Sequence, residues 1–318
     1  ILMCVVSVIV RFTYGHYCKK HFTECTYHFH WDKDILKKMF GFAGWNFIGA
    51  ASGVLRDQGG NIIINLFFGP TVNAARGIAV QVNAAVVAFV NNFMTALNPQ
   101  ITKSYASGEN EYMLTLIYQG ARLSFYMLLL LSLPIFLNTH YILVLWLRLV
   151  PDYAVLFVQL ILMFALSESI SQPLITAMLA TGNIKKYQIV VGGMQLMNLP
   201  VSYILLRLGY PPQSVIITAI VISQLCLIAR LILLRKMIGI SFMHFMRKVY
   251  FNVILVTLLS IVVPLVIQLK VSECFASFIM LTIISVCCTA LAIIYVGCNK
   301  KERKIVKKQL YKFKQKIA

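Results

Sequence analysis

Two stretches near the C-terminal end, 250–268 and 275–297, contain no charged residue and are rich in Leu, Ile and Val. Each is long enough to cross a bilayer as a helix, because about 20 residues rising ~1.5 Å each cover the ~30 Å hydrocarbon core. The same criterion finds further spans at 39–68, 70–102, 113–137, 154–180, 187–207 and 213–234. We therefore predict an all-α, polytopic integral membrane protein.

The composition excludes a water-soluble globular enzyme. Only 12% of the 318 residues are charged, whereas 59% are hydrophobic, and a soluble domain normally carries about twice this share of charged residues. The sequence also contains no Walker A motif, glycine-rich nucleotide loop or metal-hydrolase helix motif. We predict neither an enzyme nor a bound cofactor.

The basic residues orient the predicted helices. The formal net charge is +19, and 22 of the 29 Lys and Arg residues fall in the N-terminal segment, in alternate connectors and in the tail. The intervening connectors hold only Arg148, Arg207 and Lys270. Positive charge accumulates on the cytoplasmic side of membrane proteins. We therefore predict that 11–38 and the C-terminal tail are cytoplasmic and face anionic membrane lipids, with no nucleic-acid partner.

The cysteines and histidines are not arranged as a disulfide framework or a metal site. Most of the eight cysteines lie in apolar runs or in connectors predicted to be cytoplasmic, where disulfides are rare. The segment 11–38 holds six candidate ligands at spacings that match no zinc-binding frame: His16, Cys18, His21, Cys25, His28 and His30. We predict no metal site.

Strongly polar residues interrupt the first long span, 39–68, where membrane burial makes them costly. Four of them share an arc of about 100° on a helical wheel: Asn46, Asp57, Asn61 and Asn65. Arg56 lies off this arc. Two interpretations remain open. These residues either line a water-filled cavity, with Arg56 and Asp57 near mid-depth, or bridge neighbouring helices around a self-neutralising Arg56–Asp57 pair.

The second long span, 70–102, repeats this pattern. Five residues share an arc of about 80°: Asn73, Arg76, Asn83, Asn91 and Asn98. Arg76 has no acidic residue within one turn of its own helix, so its guanidinium favours an anion such as a phosphate. Two other roles stay open for Arg76: snorkelling to the membrane surface, and pairing with Asp57 across helices.

Three further charged residues lie within predicted spans. Glu168 precedes Pro173 in the span 154–180 and is either a coupling-ion site for H⁺ or Na⁺ or a partner in a structural ion pair. Arg122 is close to one end of its span, where snorkelling explains it and a substrate role stays open. Arg230 precedes a basic connector, and we predict it at the membrane interface.

The stretch 40–110 resembles the first two helices of the second lobe in multidrug/oligosaccharidyl-lipid/polysaccharide exporters. It is most similar to their polysaccharide biosynthesis (Wzx-type) branch. The likeness is carried by FGPTVNAARGIA at 68–79 and LNPQITKSYASGE at 97–109, and it continues more weakly to ATGN at 180–183. This resemblance implies two six-helix lobes around a central cavity that opens alternately to the two sides of the membrane.

On this MATE-like plan, the chain is expected to hold the second lobe and two extra helices, with the N-terminal lobe missing. That lobe would be the partner that closes the cavity. The expected divisions are a transmembrane helix end at 1–10, a cytoplasmic inter-lobe linker at 11–38, the second six-helix lobe at 39–234, a cytoplasmic connector at 235–249, two additional transmembrane helices at 250–297 and a basic cytoplasmic tail at 298–318.

Exporters of this branch flip undecaprenyl-diphosphate-linked oligosaccharides, which are the repeat units of O-antigen, capsule or exopolysaccharide, across the bacterial inner membrane. The resemblance therefore implies a flippase of lipid-linked oligosaccharides. Under this hypothesis Arg56 and Arg76 contact the diphosphate, with Asp57 beside them. The residues expected to face the sugar are Asn61, Asn65, Asn83 and Asn91.

Other functional classes stay open. A cation-coupled multidrug exporter of the same superfamily depends on a cavity carboxylate, for which Asp57 and Glu168 are the candidates; both are also the coupling-ion candidates of a flippase. A membrane-embedded polysaccharide polymerase or acyltransferase is disfavoured, because the longest predicted outside connector, 138–153, is small. A purely structural membrane subunit would not need the polar faces of 39–68 and 70–102.

Overall fold

The computed structural model describes residues 2–22, 25, 31–299 and 302–304. These residues form helices and no strand. The prediction of an all-α, polytopic membrane protein is confirmed. The chain divides into two compact units, Ile1–Gly41 and Phe42–Ala318.

The helices of the described residues are, in chain order, α1 (Leu2–His21), α2 (Lys33–Ala106), α3 (Asn110–Leu137), α4 (Thr139–Leu147), α5 (Ala154–Ala180), α6 (Lys185–Arg207), α7 (Ser214–Ile238), α8 (Phe242–Gln268) and α9 (Phe275–Gly297). Within this described part, seven helices are long and apolar enough to cross a membrane. They are α2, α3 and α5 to α9. Single wider turns of π-helix occur in α6, α8 and α9.

The first unit contains α1, which has no buried residue. Its last turn holds Lys19, Lys20 and His21, where cations offset the partial negative charge of a helix C-terminus. Residues 11–21, which the sequence placed in a linker, are therefore part of a helix. The candidate ligands His28 and His30 and residues 300, 301 and 305–318 of the predicted basic tail lie outside the described residues.

Gly69 divides α2 into two arms, at the boundary predicted between the spans 39–68 and 70–102. Its backbone angles, φ 78° and ψ −179°, are open to glycine and strained for any residue with a Cβ atom. Pro70 follows and supplies no amide hydrogen, which also interrupts regular helical bonding. Each arm is longer than the ~20 residues that a bilayer crossing needs.

The second arm of α2 packs against α3 and α5. Its buried side chains include Ala75, Ala79 and Met94. These side chains share an apolar core with Leu128 of α3 and Phe157 of α5. Small residues on this arm allow the three helices to approach closely, as is usual where helices meet inside membranes.

The first arm of α2 packs against α6 and α7. Gly59 lies so close to Leu199 of α6 that a Cβ atom at Gly59 would overlap that side chain. Further along the arm, Ile64 forms a small apolar core with Leu206 of α6 and Val215 of α7. Arg56, Asp57 and Gln58, which directly precede Gly59, are thereby held beside α6 and α7.

The last two helices, α8 and α9, pack against each other and against α3. The hydroxyl of Tyr126 on α3 donates a hydrogen bond of 2.8 Å to Asn252 Oδ1 on α8. The outward faces of α8 and α9 expose large apolar side chains such as Leu258, Val262 and Leu291. An apolar exterior of this kind suits helices that face lipid.

Candidate functional site

The two arms of α2 fold back on each other at Gly69. Arg76 of the second arm donates from Nη2 to the Asp57 backbone oxygen of the first arm at 3.2 Å, and from Nη1 to Asn61 Oδ1. In an unbroken helix, Arg76 and Asp57 would be about 28 Å apart. The glycine at position 69 therefore creates the site, because it brings polar residues from both arms together.

A cavity of about 280 Å³ lies where the two arms meet α5, α6 and α7. Eight of its lining residues come from α2: Arg56, Asp57, Gln58, Gly60, Asn61, Arg76, Val80 and Asn83. The other helices contribute Ile161, Phe164, Asn198, Val215, Ile216 and Ala219. We call this space the α2 cavity.

Arg76 is positioned by the first arm and keeps one nitrogen without a hydrogen-bond partner among the described residues. Its Nη1 and Nη2 groups are bonded to Asn61 and to the Asp57 backbone, as described above. Asn61 is oriented in turn by Gln58, whose Oε1 accepts from Asn61 Nδ2 at 3.1 Å. The buried Nε of Arg76 has no hydrogen-bond partner among the described residues. Arg76 can therefore donate this N–H to a ligand without leaving its place.

Arg56 and Asp57 form an ion pair at the rim of the α2 cavity. Arg56 Nε lies 2.8 Å from Asp57 Oδ1, and Arg56 Nη2 lies 3.4 Å from Oδ2. The guanidinium carbon of Arg56 is also 5.0 Å from the centre of the Phe164 ring, a cation–π geometry. The side chain of Arg56 is 14% exposed and that of Asp57 is 59% exposed. The Arg56–Asp57 pair of the second sequence interpretation is thus present, and both residues also line the cavity of the first.

The net charge of this polar lining is positive. Two guanidinium groups, Arg56 and Arg76, face one carboxylate, Asp57. Arg76 bonds to the main-chain oxygen of Asp57 rather than to its carboxylate, so the predicted alternative of an Arg76–Asp57 ion pair is not the arrangement seen. The positive charge of Arg76 therefore remains available to an anion.

Two carboxamide oxygens complete the polar wall. Asn83 Oδ1 and Asn198 Oδ1 are buried and have no hydrogen-bond partner in the part of the chain that the structure describes. Asn198 is only 2% exposed. Buried polar groups are nearly always bonded, and the hydrocarbon around a membrane helix offers no partner. The α2 cavity thus has unused donors and acceptors for water or a ligand.

Five of the predicted site residues meet in the α2 cavity and two do not. Arg56, Asp57, Asn61, Arg76 and Asn83 line it, whereas Asn65 and Asn91 are exposed elsewhere on α2.

The site residues predicted from the sequence did not include Gln58, Asn198 and Phe164, which also line the cavity. A signal existed for Asn198, which is a strongly polar residue within an apolar run just before Pro200. Phe164 carried no signal, because aromatic residues are ordinary in a membrane helix.

Glu168, the second coupling-ion candidate, does not belong to the described lining of the α2 cavity. It is half-buried on α5, one turn beyond Phe164. Its carboxylate forms no salt bridge with any described residue. Among the described residues, no group of three or more His, Cys, Asp or Glu side chains is placed to hold a metal ion.

Comparison with known proteins adds no relative. Neither protein-family models, nor curated proteins, nor solved structures match this chain. The α2 cavity itself is therefore the basis for assigning a function.

Two isolated arginines are buried against protein partners that the sequence did not indicate. Arg230, whose depth at the membrane interface stays a prediction, is 1% exposed and donates from Nε to the Tyr187 hydroxyl at 3.4 Å. Arg122 was expected to snorkel, but it is buried and pairs with Glu302 at 2.7 Å. In both cases the side chain points inward to a polar partner on another segment, and position along the helix gave no indication of that partner.

Proposed function

We propose that this protein is a flippase that moves lipid-linked oligosaccharides, joined to the lipid through a diphosphate, across the bacterial inner membrane by alternating access. The observation that carries the proposal is the α2 cavity. It is a positively charged, hydrogen-bonding space built within helices that are otherwise apolar. Ionisable residues inside a membrane are costly and usually mark a substrate or ion pathway.

The charges of the α2 cavity suit a diphosphate. Arg76 is held in place by Asn61 and by the Asp57 backbone, and its free Nε–H is a directed donor for a phosphate oxygen. Guanidinium groups bind phosphate oxygens through charge-assisted hydrogen bonds. Arg56 lies at the rim and would meet the second phosphate once its bond to the largely exposed Asp57 is released.

The amides of the cavity suit the first sugar. The unpaired oxygens of Asn83 and Asn198 would accept hydrogen bonds from sugar hydroxyls. The volume of about 280 Å³ is just below the ~300–1,000 Å³ typical of ligand pockets. We therefore assign the diphosphate and one sugar to the α2 cavity. Later sugars would lie against the exposed surfaces of the two arms of α2, which carry Asn65 and Asn91.

The proposal is tested by ligand binding to the purified full chain in nanodiscs. The probe is a short-chain polyprenyl-diphosphate-linked N-acetylglucosamine, compared with an uncharged polyprenyl glycoside. We expect the diphosphate to bind preferentially and Arg76→Gln to weaken it by about 10- to 100-fold, since a hydrogen bond to a charged group contributes ~1.5–3 kcal/mol. Arg207→Gln is the matched control, because Arg207 is exposed and outside the cavity.

The same assay distinguishes the multidrug exporter. That alternative predicts preferential binding of a lipophilic cation, lost on Asp57→Asn. Equal binding of the diphosphate and the uncharged glycoside, or unchanged diphosphate binding by Arg76→Gln, would contradict the flippase proposal.

A further inference from the structure

A second cavity, of about 470 Å³, lies at the end of the bundle where α7 ends and α8 begins. It is lined by Ile228, Ile232, Arg235, Lys236 and Phe242. It shares no residue with the α2 cavity. We call it the α7–α8 groove.

The lining of the α7–α8 groove changes from apolar to basic along α7. Ile228, Ile232 and Arg235 follow one another at helical spacing on one face, and Lys236 is one turn from Ile232. Arg235 therefore lies about 10 Å further along the axis than Ile228. This is the order in which a phospholipid presents its acyl chain, its glycerol region and its phosphate.

The basic end of the groove carries uncompensated positive charge. Arg235 and Lys236 are exposed and make no ion pair with the described residues. The whole segment 235–249, which covers the end of α7 and the start of α8, contains no acidic residue. On the opposite wall, Phe242 is the first residue of α8, so the partial positive charge of that helix N-terminus adds to the same field.

The apolar end of the groove is exposed at the lipid-facing surface. Ile228 is partly exposed and Ile232 more so, and both belong to the most apolar part of a membrane-spanning helix. Only hydrocarbon chains reach such a surface within a bilayer. The occupant must therefore combine a hydrocarbon chain with an anionic group at one end.

We propose that the α7–α8 groove is a binding site for an anionic membrane phospholipid, with its phosphate between Arg235 and Lys236 and one acyl chain against Ile228 and Ile232. Basic pockets between transmembrane helices are suited to anionic headgroups. The site holds a resident lipid beside the connector that joins α7 to the last two helices. It does not depend on what the α2 cavity transports.

The experiment is native mass spectrometry of the purified full chain after exchange into detergent with defined phosphatidylglycerol or phosphatidylcholine. We expect one phosphatidylglycerol to be retained in preference to phosphatidylcholine. The double variant Arg235→Gln/Lys236→Gln should weaken this binding by about 30-fold, because each basic residue near an anionic headgroup contributes about a factor of five. The charge-conserving variant Arg235→Lys/Lys236→Arg should retain most of the binding, which separates loss of charge from misfolding.

The matched control is Lys185→Gln/Lys186→Gln, which removes the same charge from the exposed first turn of α6. Three results would overturn the proposal. They are equal retention of the two phospholipids, an equal loss of binding in the control, and displacement of phosphatidylglycerol by millimolar inorganic phosphate, which would indicate a site for a free anion.

Discussion

Arg76 donates a hydrogen bond to the backbone oxygen of Asp57 over 3.2 Å, although the two residues are 19 positions apart. A contact of this kind exists only because α2 reverses at Gly69. That reversal brings Arg76 to the neighbouring pair Arg56 and Asp57. The contact between the two arms is therefore set by one backbone conformation, and α5, α6 and α7 complete the cavity around it.

The first prediction concerns the reversal itself. Gly69→Ala adds a Cβ atom to a residue with φ 78° and ψ −179°, and such strain costs about 1–3 kcal/mol. We expect a lower midpoint of thermal unfolding in detergent and weaker ligand binding in the α2 cavity. Gly77→Ala is the control, since a Cβ atom there meets nothing within 4 Å and alanine favours helix. Equal stability of the two variants would mean that Gly69 is not needed for the reversal.

The second prediction concerns the carboxylate of Asp57. Asp57→Asn removes the one negative charge among the cavity-lining residues described and releases Arg56 from its ion pair. We expect the affinity for the diphosphate probe to rise by about 3- to 10-fold, a modest effect because Asp57 is largely exposed. Isothermal titration calorimetry measures it, with Asp152→Asn in an exposed connector as the control. A weaker affinity for the diphosphate would show that Asp57 itself contacts the ligand favourably.

The third prediction concerns the ion pair of Arg122 with Glu302. Glu302→Leu leaves the buried Arg122 without its partner, and the loss of one member of a buried pair costs about 3–5 kcal/mol. We expect a marked fall in the thermal midpoint. The double variant Arg122→Met/Glu302→Leu should recover much of it, because two apolar side chains replace the pair without leaving a buried charge.

The matched control for this pair is Glu111→Gln, since Glu111 is an exposed carboxylate in the first turn of α3. Its thermal midpoint should stay close to that of the native chain. A double variant no more stable than Glu302→Leu would contradict the assignment of the loss to the unpaired arginine.

The fourth prediction concerns Cys274, in the connector between α8 and α9. Ser277 places its hydroxyl 3.0 Å and its backbone N–H 3.5 Å from Cys274 Sγ, and these hydrogen bonds lower the pKa of the thiol. Because the thiolate is the reactive form, a lower pKa increases alkylation at neutral pH. Ser277→Ala should raise the pKa and slow alkylation by a membrane-impermeant maleimide near pH 7.

The pH dependence separates this effect from access. The rates for the native chain and Ser277→Ala should converge at high pH, where both thiols are ionised. Quantifying the labelled Cys274 peptide by mass spectrometry gives both profiles, with Ser272→Ala as the control. A difference that persists at high pH would indicate that Ser277 changes access to the thiol rather than its ionisation.

The fold follows closely from the pattern of apolar residues and from the glycine and proline residues that interrupt helices. The spans predicted from apolar length correspond to α2, α3 and α5 to α9, and the boundary predicted near residue 69 coincides with the reversal at Gly69. These features are local, because a bilayer fixes the length of each helix and glycine followed by proline ends regular hydrogen bonding.

The candidate site follows from the sequence only in part. Arg56, Asp57 and Arg76 were identifiable because charges are rare inside apolar spans. Asn198 was noticeable only as a polar residue in an apolar run and Phe164 not at all, since their role in the site depends on how α5 and α6 pack beside α2. A helical wheel gives the direction of a side chain but not the neighbour it meets, so Asn65 and Asn91 were grouped with residues from which the structure separates them.

The reversal at Gly69 also bears on how the chain enters the bilayer during synthesis. Taken alone, the first arm of α2 carries Arg56 and Asp57, and each charge at the centre of a helix disfavours insertion by about 2.5–3.5 kcal/mol. The second arm carries Arg76 and contains no acidic residue that could pair with it. When the two arms are paired, Arg76 donates hydrogen bonds to Asn61 and to the Asp57 backbone oxygen. These bonds offset part of the cost of inserting polar groups. The two arms should therefore leave the translocon together as one helical hairpin, rather than one after the other.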